Sequence, residues 1–322
     1  MQVSPLVRLT LIPLALCAAG FAAAQDWPAK PVRMLVTFPP GGPSEIVTRM
    51  VGERLQGALK QPFVVENRAG ASGNIGADAV AKSAPDGHLF GITTDTLFTV
   101  NPLVYGKMPF DPWSDIVPVA LLGSFSQMMV CHPAVAAKTL GELLQLAKRE
   151  RLTYASGGPG VPGHLAAELL LSTTGVSMLH VPYKGPAAAT TDVMGGQVNC
   201  GFLATPTVLP HVKAGRLTAL AVSTAKRSPL APDVPAAAEA GAPGFDAPFY
   251  LVLFASARTP AQIVARMNGE VVKALDAREV KERAAALVIV TLGGSAQDAT
   301  KVLKDAAAKW APVVRRIGLK LD

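Results

Sequence analysis

Two segments of the chain place glycine and proline where an apolar run gives way to a helical pattern. They are TFPPGGPSE at 37–45 and ASGGPGVPGH at 155–164. A helix that begins at a proline gives up no useful donor, because a first-turn N–H has no acceptor within its own helix. Backbone N–H groups that converge at a helix N-terminus bind anions. In the first segment these donors are the amides of Gly41, Gly42, Ser44, Glu45 and Ile46.

The second segment repeats this arrangement in the other half of the chain. A β-like run again ends in Gly-Gly-Pro before a helical pattern, which puts a donor-rich loop at the carboxyl edge of a sheet, where α/β folds bind ligands. Ser156 offers a hydroxyl donor there, and His164 is either a second donor or a structural histidine. Both segments can also be ordinary turns that use glycine and proline for their geometry. Two such loops facing each other suit a molecule with an anionic group at one or both ends.

Two further stretches offer candidate ligand contacts. Thr93 and Thr94 end a β pattern with hydroxyls that can donate to a carboxylate, although threonine also favours strands for its shape alone. Tyr183 and Lys184 precede another helical pattern, where a buried aromatic ring and a solvated charge are the alternative explanation.

Motifs of catalysis are mostly missing from the sequence, and a Ser-x-x-Lys at 223–226 lacks the companion motifs that would make it catalytic. The sequence has no serine-hydrolase elbow, zinc-protease motif, Cys-x-x-Cys pair or nucleotide-binding lysine, and its five histidines show no metal-ligand spacing. We therefore expect no enzyme, no catalytic residue, no metal and no cofactor.

Composition and the N-terminus indicate an exported protein. The chain has 322 residues, 50% of them hydrophobic, and this length suggests about two domains. Residues 1–24 run from Arg8 through an apolar stretch to three alanines, the layout of a signal peptide, so we expect cleavage before Gln25. No later segment is long enough to span a membrane. We expect a periplasmic monomer that is not embedded in the membrane.

The net charge bears on the class of ligand, and the cysteines leave two alternatives for their redox state. The formal net charge of +7 comes from scattered Lys and Arg, which is a poor footprint for nucleic acid but favours small anions. Cys131 and Cys200, the cysteines outside the predicted signal peptide, are either two buried thiols or one disulfide.

The order of patterns predicts two lobes. From Pro31 onward β-branched runs alternate with helical patterns, which predicts α/β units with mostly parallel sheets. The series restarts near 126, and a connection rich in Pro, Ala and Gly at 228–245 leads back to one buried strand and three helices. We predict that 25–125 and 249–322 form lobe 1, that 126–248 form lobe 2, and that a cleft lies between them.

Several motifs taken together resemble the substrate-binding proteins of tripartite tricarboxylate transporters, the Bug family. They are FPPGGPSEIVTRMVGERL, VVENRAGASGNIGADAVAKSAPDGH, NPLVYGKMPFDP, LTYASGGPGVPGHLAAELL, VPYKGPAAATTDVMGGQV and the stretch from Leu209 to Phe245. The resemblance implies a type II periplasmic binding protein that closes on a small carboxylate and presents it to the permease subunits of a membrane transporter. A sensor that receives the loaded protein is the alternative partner. The implied ligand residues are Pro40, Gly41, Gly42, Pro43, Ser44, Thr93, Thr94, Ser156, Gly157, Gly158, Gly160, His164, Tyr183 and Thr205.

Two positions depart from the family pattern. Glu45 stands where an aspartate is frequent, and it either alters the pocket or caps the helix. Ala204 and Thr205 stand where many relatives carry Asp-Asn or a similar polar pair. Because the ammonium group of an amino acid needs a carboxylate partner, this loss favours a plain organic or aromatic carboxylate as the ligand.

Overall fold

The computed structural model describes residues 27–321, so the predicted signal peptide at 1–24 lies outside the described residues. Strands and helices follow one another along the described chain, with a 3₁₀ helix (Ala71–Gly73) ahead of the second α-helix. The elements are β1 (Val32–Val36), α1 (Pro43–Leu59), β2 (Phe63–Asn67), α2 (Asn74–Ala81), β3 (Leu89–Thr94), α3 (Thr96–Thr99), α4 (Asn101–Val104), β4 (Ile116–Phe125), β5 (Gln127–Cys131), α5 (Leu140–Ala147), β6 (Thr153–Ser156), α6 (Pro162–Thr174), β7 (Leu179–Pro182), α7 (Pro186–Met194), β8 (Cys200–Ala204), α8 (Thr205–Lys213), β9 (Thr218–Val222), β10 (Phe249–Ser256), α9 (Ala261–Asp276), α10 (Arg278–Ala286), β11 (Val290–Gly293) and α11 (Ala296–Ile317).

Two sheets organise the fold. The first has six strands in the order β11-β4-β10-β3-β1-β2, and the second has five in the order β7-β6-β8-β5-β9. Strands of the first sheet lie within 32–125 and 249–293, and those of the second within 127–222. We accordingly propose the lobe boundaries that the sequence predicts, 25–125 with 249–322 and 126–248.

Both sheets are mixed, which corrects the prediction of mostly parallel sheets. In the first sheet β1 pairs in parallel with β2 and β3, whereas β10 runs antiparallel to β3 and β4, and β11 antiparallel to β4. In the second sheet β6 is parallel to β7 and β8, but β5 is antiparallel to β8 and β9. Parallel neighbours need a crossover connection, usually a helix. β5 and β10 instead enter their sheets directly from the other lobe, so they can run against their neighbours.

Helix α1 illustrates how the sequence determines where an element begins and ends and which face it buries. Pro43 occupies its first position, and Lys60 ends it in the left-handed conformation at φ 55°. Val47, Val51 and Leu55, on one helical face, are buried against the sheet. The proline thus fixes where the helix begins, directly after the glycine pair.

The two cysteines are joined as one disulfide. Cys131 of β5 and Cys200 of β8 are directly opposite each other in the second sheet, with Cα atoms 3.9 Å apart. Both side chains are fully buried in the core of that lobe. Of the two alternatives left by the sequence, the structure therefore supports the bridge.

No helix among residues 27–321 combines the length and apolarity that crossing a membrane requires.

Candidate functional site

A pocket lies at the carboxyl edges of both sheets, where the chain crosses from one lobe to the other. Its volume is about 50 Å³, and four of its wall residues also line an outer chamber of about 670 Å³. A water molecule needs roughly 10–15 Å³ by the same measure, so the inner pocket has room for a carboxylate-sized group. The inner pocket is lined by Phe38, Gly42, Pro43, Ser44, Thr94, Phe125, Gln127, Gly157, Val161, Pro162, Gly163, Gly185, Pro186, Phe202, Leu203 and Ala204.

Four helices begin at the inner pocket. They are α1, α6, α7 and α8, each with proline at its first or second position and none with a side chain capping its N-terminus. First-turn amides have no acceptor within their own helix, and aligned peptide dipoles place about half a positive charge at each N-terminus. The described lining residues include no charged side chain. The positive potential of the pocket therefore comes from backbone groups.

The first glycine loop supplies fewer free donors than its sequence suggests. The amide of Gly41 donates to the Glu45 carboxylate at 2.7 Å, and the amide of Ile46 donates to the Gly42 carbonyl at 3.2 Å. The amides of Ser44 and Glu45 belong to the unpaired first turn of α1. Pro40 and Gly41 lie on the exposed side of the loop, whereas Gly42, Pro43 and Ser44 line the pocket.

The structure explains the glutamate in this loop. Besides the Gly41 amide, the Glu45 carboxylate accepts hydrogen bonds from the Arg49 guanidinium at 2.6 and 2.9 Å. Burial by itself raises the pKa of Glu45, but the Gly41 hydrogen bond and Arg49 outweigh it, so the pKa is lowered. Of the two roles that the sequence left open, helix capping is not observed, because no side chain caps the N-terminus of α1. Glu45 instead holds the preceding loop through the Gly41 amide, and Arg49 neutralises its charge next to the pocket.

The second glycine loop is held by the side chain of its first residue, Ser156. The Ser156 hydroxyl is fully buried, where it donates to the Gly158 carbonyl at 3.0 Å and accepts from the Gly158 amide at 3.2 Å. Gly158 and Gly160 have φ values of +137° and +70°, which favour glycine. Gly157 lines both chambers and Gly158 the outer one. Ser156 therefore shapes the loop from beneath, and its contact with a ligand stays a prediction.

His164 is likewise turned toward the loop. Its Nδ1 accepts a hydrogen bond from the Gly160 amide at 3.0 Å, and burial lowers its pKa to about 4. The residue is 6% exposed and lines neither chamber.

The other predicted residues divide between the pocket and its surroundings. Thr94 lines the inner pocket, whereas Thr93 points to the opposite face, where its hydroxyl accepts from Thr37 at 3.0 Å. Tyr183 lines the outer chamber and donates its hydroxyl to Asp192 at 2.7 Å; burial, followed by this hydrogen bond, raises its pKa to about 12.

Thr205 lies just behind the pocket wall. Its hydroxyl pairs with the Ser126 hydroxyl at 2.8 Å, and its amide donates to the Ser126 carbonyl at 3.0 Å. The preceding residue, Ala204, lines the pocket in its place.

Sequence reasoning missed most of the apolar wall and one polar side chain. Phe38, Phe125 and Phe202 come from three separate segments that only the fold brings together. Gln127 is 2% exposed and lines the pocket, while its backbone amide donates to the Ser223 hydroxyl at 2.9 Å. A glutamine at the start of an otherwise apolar strand was the signal that could have found it.

The two lobes meet across the cleft through these loops. The Ser72 hydroxyl of lobe 1 donates to the Pro159 carbonyl of the second glycine loop at 2.7 Å. A Cβ added at Gly42 would contact Pro186 at 3.6 Å, and one added at Gly41 would contact Ala187 at 3.3 Å. Within 27–321 no cluster of three metal-ligating side chains occurs. The site is therefore a cleft lined by loops, with its polar groups supplied mainly by the backbone.

Comparisons with known proteins agree with this geometry. The family model described as tripartite tricarboxylate transporter family receptor matches residues 47–319. Protein BugT of Bordetella pertussis is 34% identical over 97% of this chain and 98% of its own length.

Two solved structures are also similar to this chain over most of its length. The structure of R. palustris Rpa4515 with adipate has a TM-score of 0.89 at 34% identity, covering 92% of this chain and 99% of that one. MatC (Rpa3494) from Rhodopseudomonas palustris with bound malate has a TM-score of 0.84 at 29% identity, covering 89% and 100%. The predicted two-lobed periplasmic-binding-protein fold is confirmed.

Proposed function

Since the chain belongs to the tripartite tricarboxylate transporter receptor family, we propose that it captures one small organic carboxylate in its interlobe cleft and delivers it to the permease of such a transporter. Capture takes place in the periplasm, after removal of the signal peptide. The observation that carries the proposal is the convergence of four helix N-termini on one pocket whose lining residues carry no charge. Such a pocket favours an anion and offers no partner to a cation.

The walls indicate what the rest of the ligand is like. Phe38, Phe125 and Phe202 give the inner pocket an apolar surface, which suits a hydrocarbon chain or ring next to the carboxylate. Adipate, bound by one relative, has such a chain between two carboxylates. The neighbouring outer chamber, with Lys184 and Tyr183 in its wall, offers room for the second end of an elongated ligand.

Gln127 supplies the one carboxamide side chain of the inner wall. Because its amide can both donate and accept, it can bond a carboxylate oxygen or a hydroxyl group. With no carboxylate among the lining residues, an α-ammonium group would be buried without a counter-charge. We therefore expect plain carboxylates to bind and amino acids to be rejected.

Calorimetry and thermal shift on the mature protein test the proposal with adipate, malate, benzoate and glutamate. At least one of the first three should bind with a micromolar or tighter Kd, and glutamate should not bind. Native mass spectrometry of freshly purified protein would identify a ligand that co-purifies. If a wider carboxylate panel gives neither binding nor a co-purified acid, the proposal fails.

A negative charge introduced at the pocket tests whether the ligand is bound as an anion or only by its fit to the pocket. Ser44 is 3% exposed and lines the pocket in the first turn of α1, where an acidic residue is compatible with helix stability. At about 4 Å and an effective dielectric constant of about 20, two like charges repel by about 4 kcal/mol. S44D should therefore weaken binding at least a hundredfold, while S44N, of equal size and no charge, should stay within tenfold of wild type. Equal affinity in S44D and S44N would contradict an anion bound at this helix.

Delivery to a permease requires a cellular test. Cells that lack the protein should lose high-affinity uptake of the radiolabelled ligand, and plasmid-borne wild type, but not S44D, should restore it. Restored uptake by a binding-deficient variant would argue against the transport role.

A further inference from the structure

Two stacked histidine rings hold both ends of the second glycine loop. His180 of β7 contacts the Ser156 hydroxyl through Nε2 at 2.7 Å, at the start of the loop. His164 of α6 accepts from the Gly160 amide through Nδ1 at 3.0 Å, at its end. The two rings are parallel within 11°, with centroids 4.1 Å apart. Tyr154 stacks on the other face of His180 at 4.8 Å, so three rings form a continuous stack under the loop.

The contacts fix the protonation state of His164. Because a backbone N–H points at its Nδ1, that nitrogen must carry a lone pair, and the proton of the neutral ring sits on Nε2. Nε2 lies 3.9 Å from the Glu168 carboxylate, whose oxygen accepts the Tyr154 hydroxyl at 2.5 Å. An imidazolium has donors at both nitrogens, so a protonated His164 would repel the Gly160 amide instead of bonding it.

We propose that His164 and His180 are positioning residues that hold the loop at 156–160 in its ligand-binding shape, and that they do so only while His164 is neutral. The inference rests on the proposed function, because the loop matters for binding only if the cleft is the ligand site. Gly157, between the two anchored ends, lines the inner pocket, and Gly158 lines the outer chamber. Movement of the Gly160 amide would displace both of them.

The surroundings keep the pair neutral over the ordinary pH range. Burial lowers the pKa of each histidine to about 4, and for His180 the neighbouring His164 lowers it further while Glu168 opposes. The titratable groups facing the rings are Tyr154 on β6 and Glu168 on α6 itself. Strands β5 and β8, which pack against α6, contribute no ionisable group, since their cysteines form the disulfide. Helix α11 also packs against α6, and its buried residues are Ala299, Leu303, Trp310 and Val314.

Amide exchange tests the arrangement without any ligand. The Gly160 amide should be protected in wild type and in His164→Gln, whose side-chain oxygen can accept without titrating. In His164→Leu, which offers no acceptor, protection should fall at least tenfold. His132→Leu is the matched control and should leave Gly160 protection unchanged, because His132 also accepts a backbone amide through Nδ1, from Ala134 at 3.2 Å, but away from the cleft. Full Gly160 protection in His164→Leu would overturn the inference.

The titration of the loop distinguishes positioning from simple packing. The ¹⁵N–¹H signal of Gly160, whose amide bonds directly to His164, should shift with a midpoint near pH 4 in wild type, and most of that shift should be lost in His164→Gln, where only His180 of the pair still titrates. A midpoint near the ordinary histidine value of about 6.5, or the same titration in both proteins, would contradict a neutral His164 acceptor.

Adipate binding connects the loop to function. With adipate as probe at pH 7, Kd should rise at least tenfold in His164→Leu and stay within threefold of wild type in His164→Gln. An unchanged Kd in His164→Leu, despite loss of Gly160 protection, would overturn the positioning role. If wild type itself does not bind adipate, the result counts against the proposed ligand class, and the exchange and titration results decide the inference.

Discussion

Asp95 should make the protein less stable as the pH rises from about 4 toward neutrality. It follows Thr94 directly and is fully buried. One carboxylate oxygen accepts the Tyr250 amide at 3.0 Å, while the other has no hydrogen-bond partner within the described structure. Burial raises the pKa of this carboxyl from 3.8 to about 7.

The sign and size of the effect follow from proton linkage. Because the folded state holds the proton more tightly than the unfolded chain, stability falls as the pH rises from about 4 to about 7 and then levels off. The difference between about 7 and 3.8, at about 1.4 kcal/mol for each pKa unit, corresponds to about 4 kcal/mol. D95N keeps the acceptor for the Tyr250 amide and removes the titration.

The assay is urea unfolding of wild type and D95N at several pH values between 4 and 8. The difference between their unfolding free energies should shift by about 4 kcal/mol in favour of D95N over this range. Titration of His164 and His180 makes stability rise with pH, which is opposite to the effect of Asp95. Because distant sites contribute additively, this histidine effect is the same in both proteins and cancels in their difference. D305N, at a surface carboxylate 66% exposed, is the control and should follow wild type. Stability curves of wild type and D95N that stay parallel from pH 4 to pH 8 would refute the reasoning.

Three further predictions concern the stability of the fold. Replacing Cys131 and Cys200 by alanine should lower stability by about 4 kcal/mol in urea unfolding, the chain-entropy value for a bridge spanning 69 residues, and reducing agent should have no further effect. G163A should be destabilising by calorimetry, since its Cβ would overlap the Phe202 carbonyl, whereas G269A, with open space around it in α9, should raise stability by about 0.5–1 kcal/mol. E45Q should lose up to about 1 kcal/mol at pH 7, and the loss should vanish on acidification, because a lowered carboxyl pKa stabilises only above it.

Much of the architecture could be read from local patterns. The sequence predicts a helix that begins at the proline of the first segment, and the structure has α1 at Pro43–Leu59, because proline marks a helix start by its backbone dihedral alone. The strand β4 was missed because Pro118 interrupts its pattern, and proline argues against a strand. In the structure Pro118 lies opposite Phe254, next to a register shift in the pairing of β4 with β10. The short edge strand β11, which ends at Gly293, was missed because so few residues carry no recognisable period.

The site likewise has features that follow from local backbone geometry and features that only the fold creates. The sequence by itself determined that two glycine loops open helices at the carboxyl ends of strands, because those residues act through their own backbone geometry. Only the tertiary structure decided which donors are free, since Glu45 takes the Gly41 amide and Ile46 bonds to its own helix. It also decided that α7 and α8 begin at the same pocket and that the histidines at 164 and 180 stack beneath one loop. These juxtapositions join residues far apart in the chain, and no local pattern encodes such a distance.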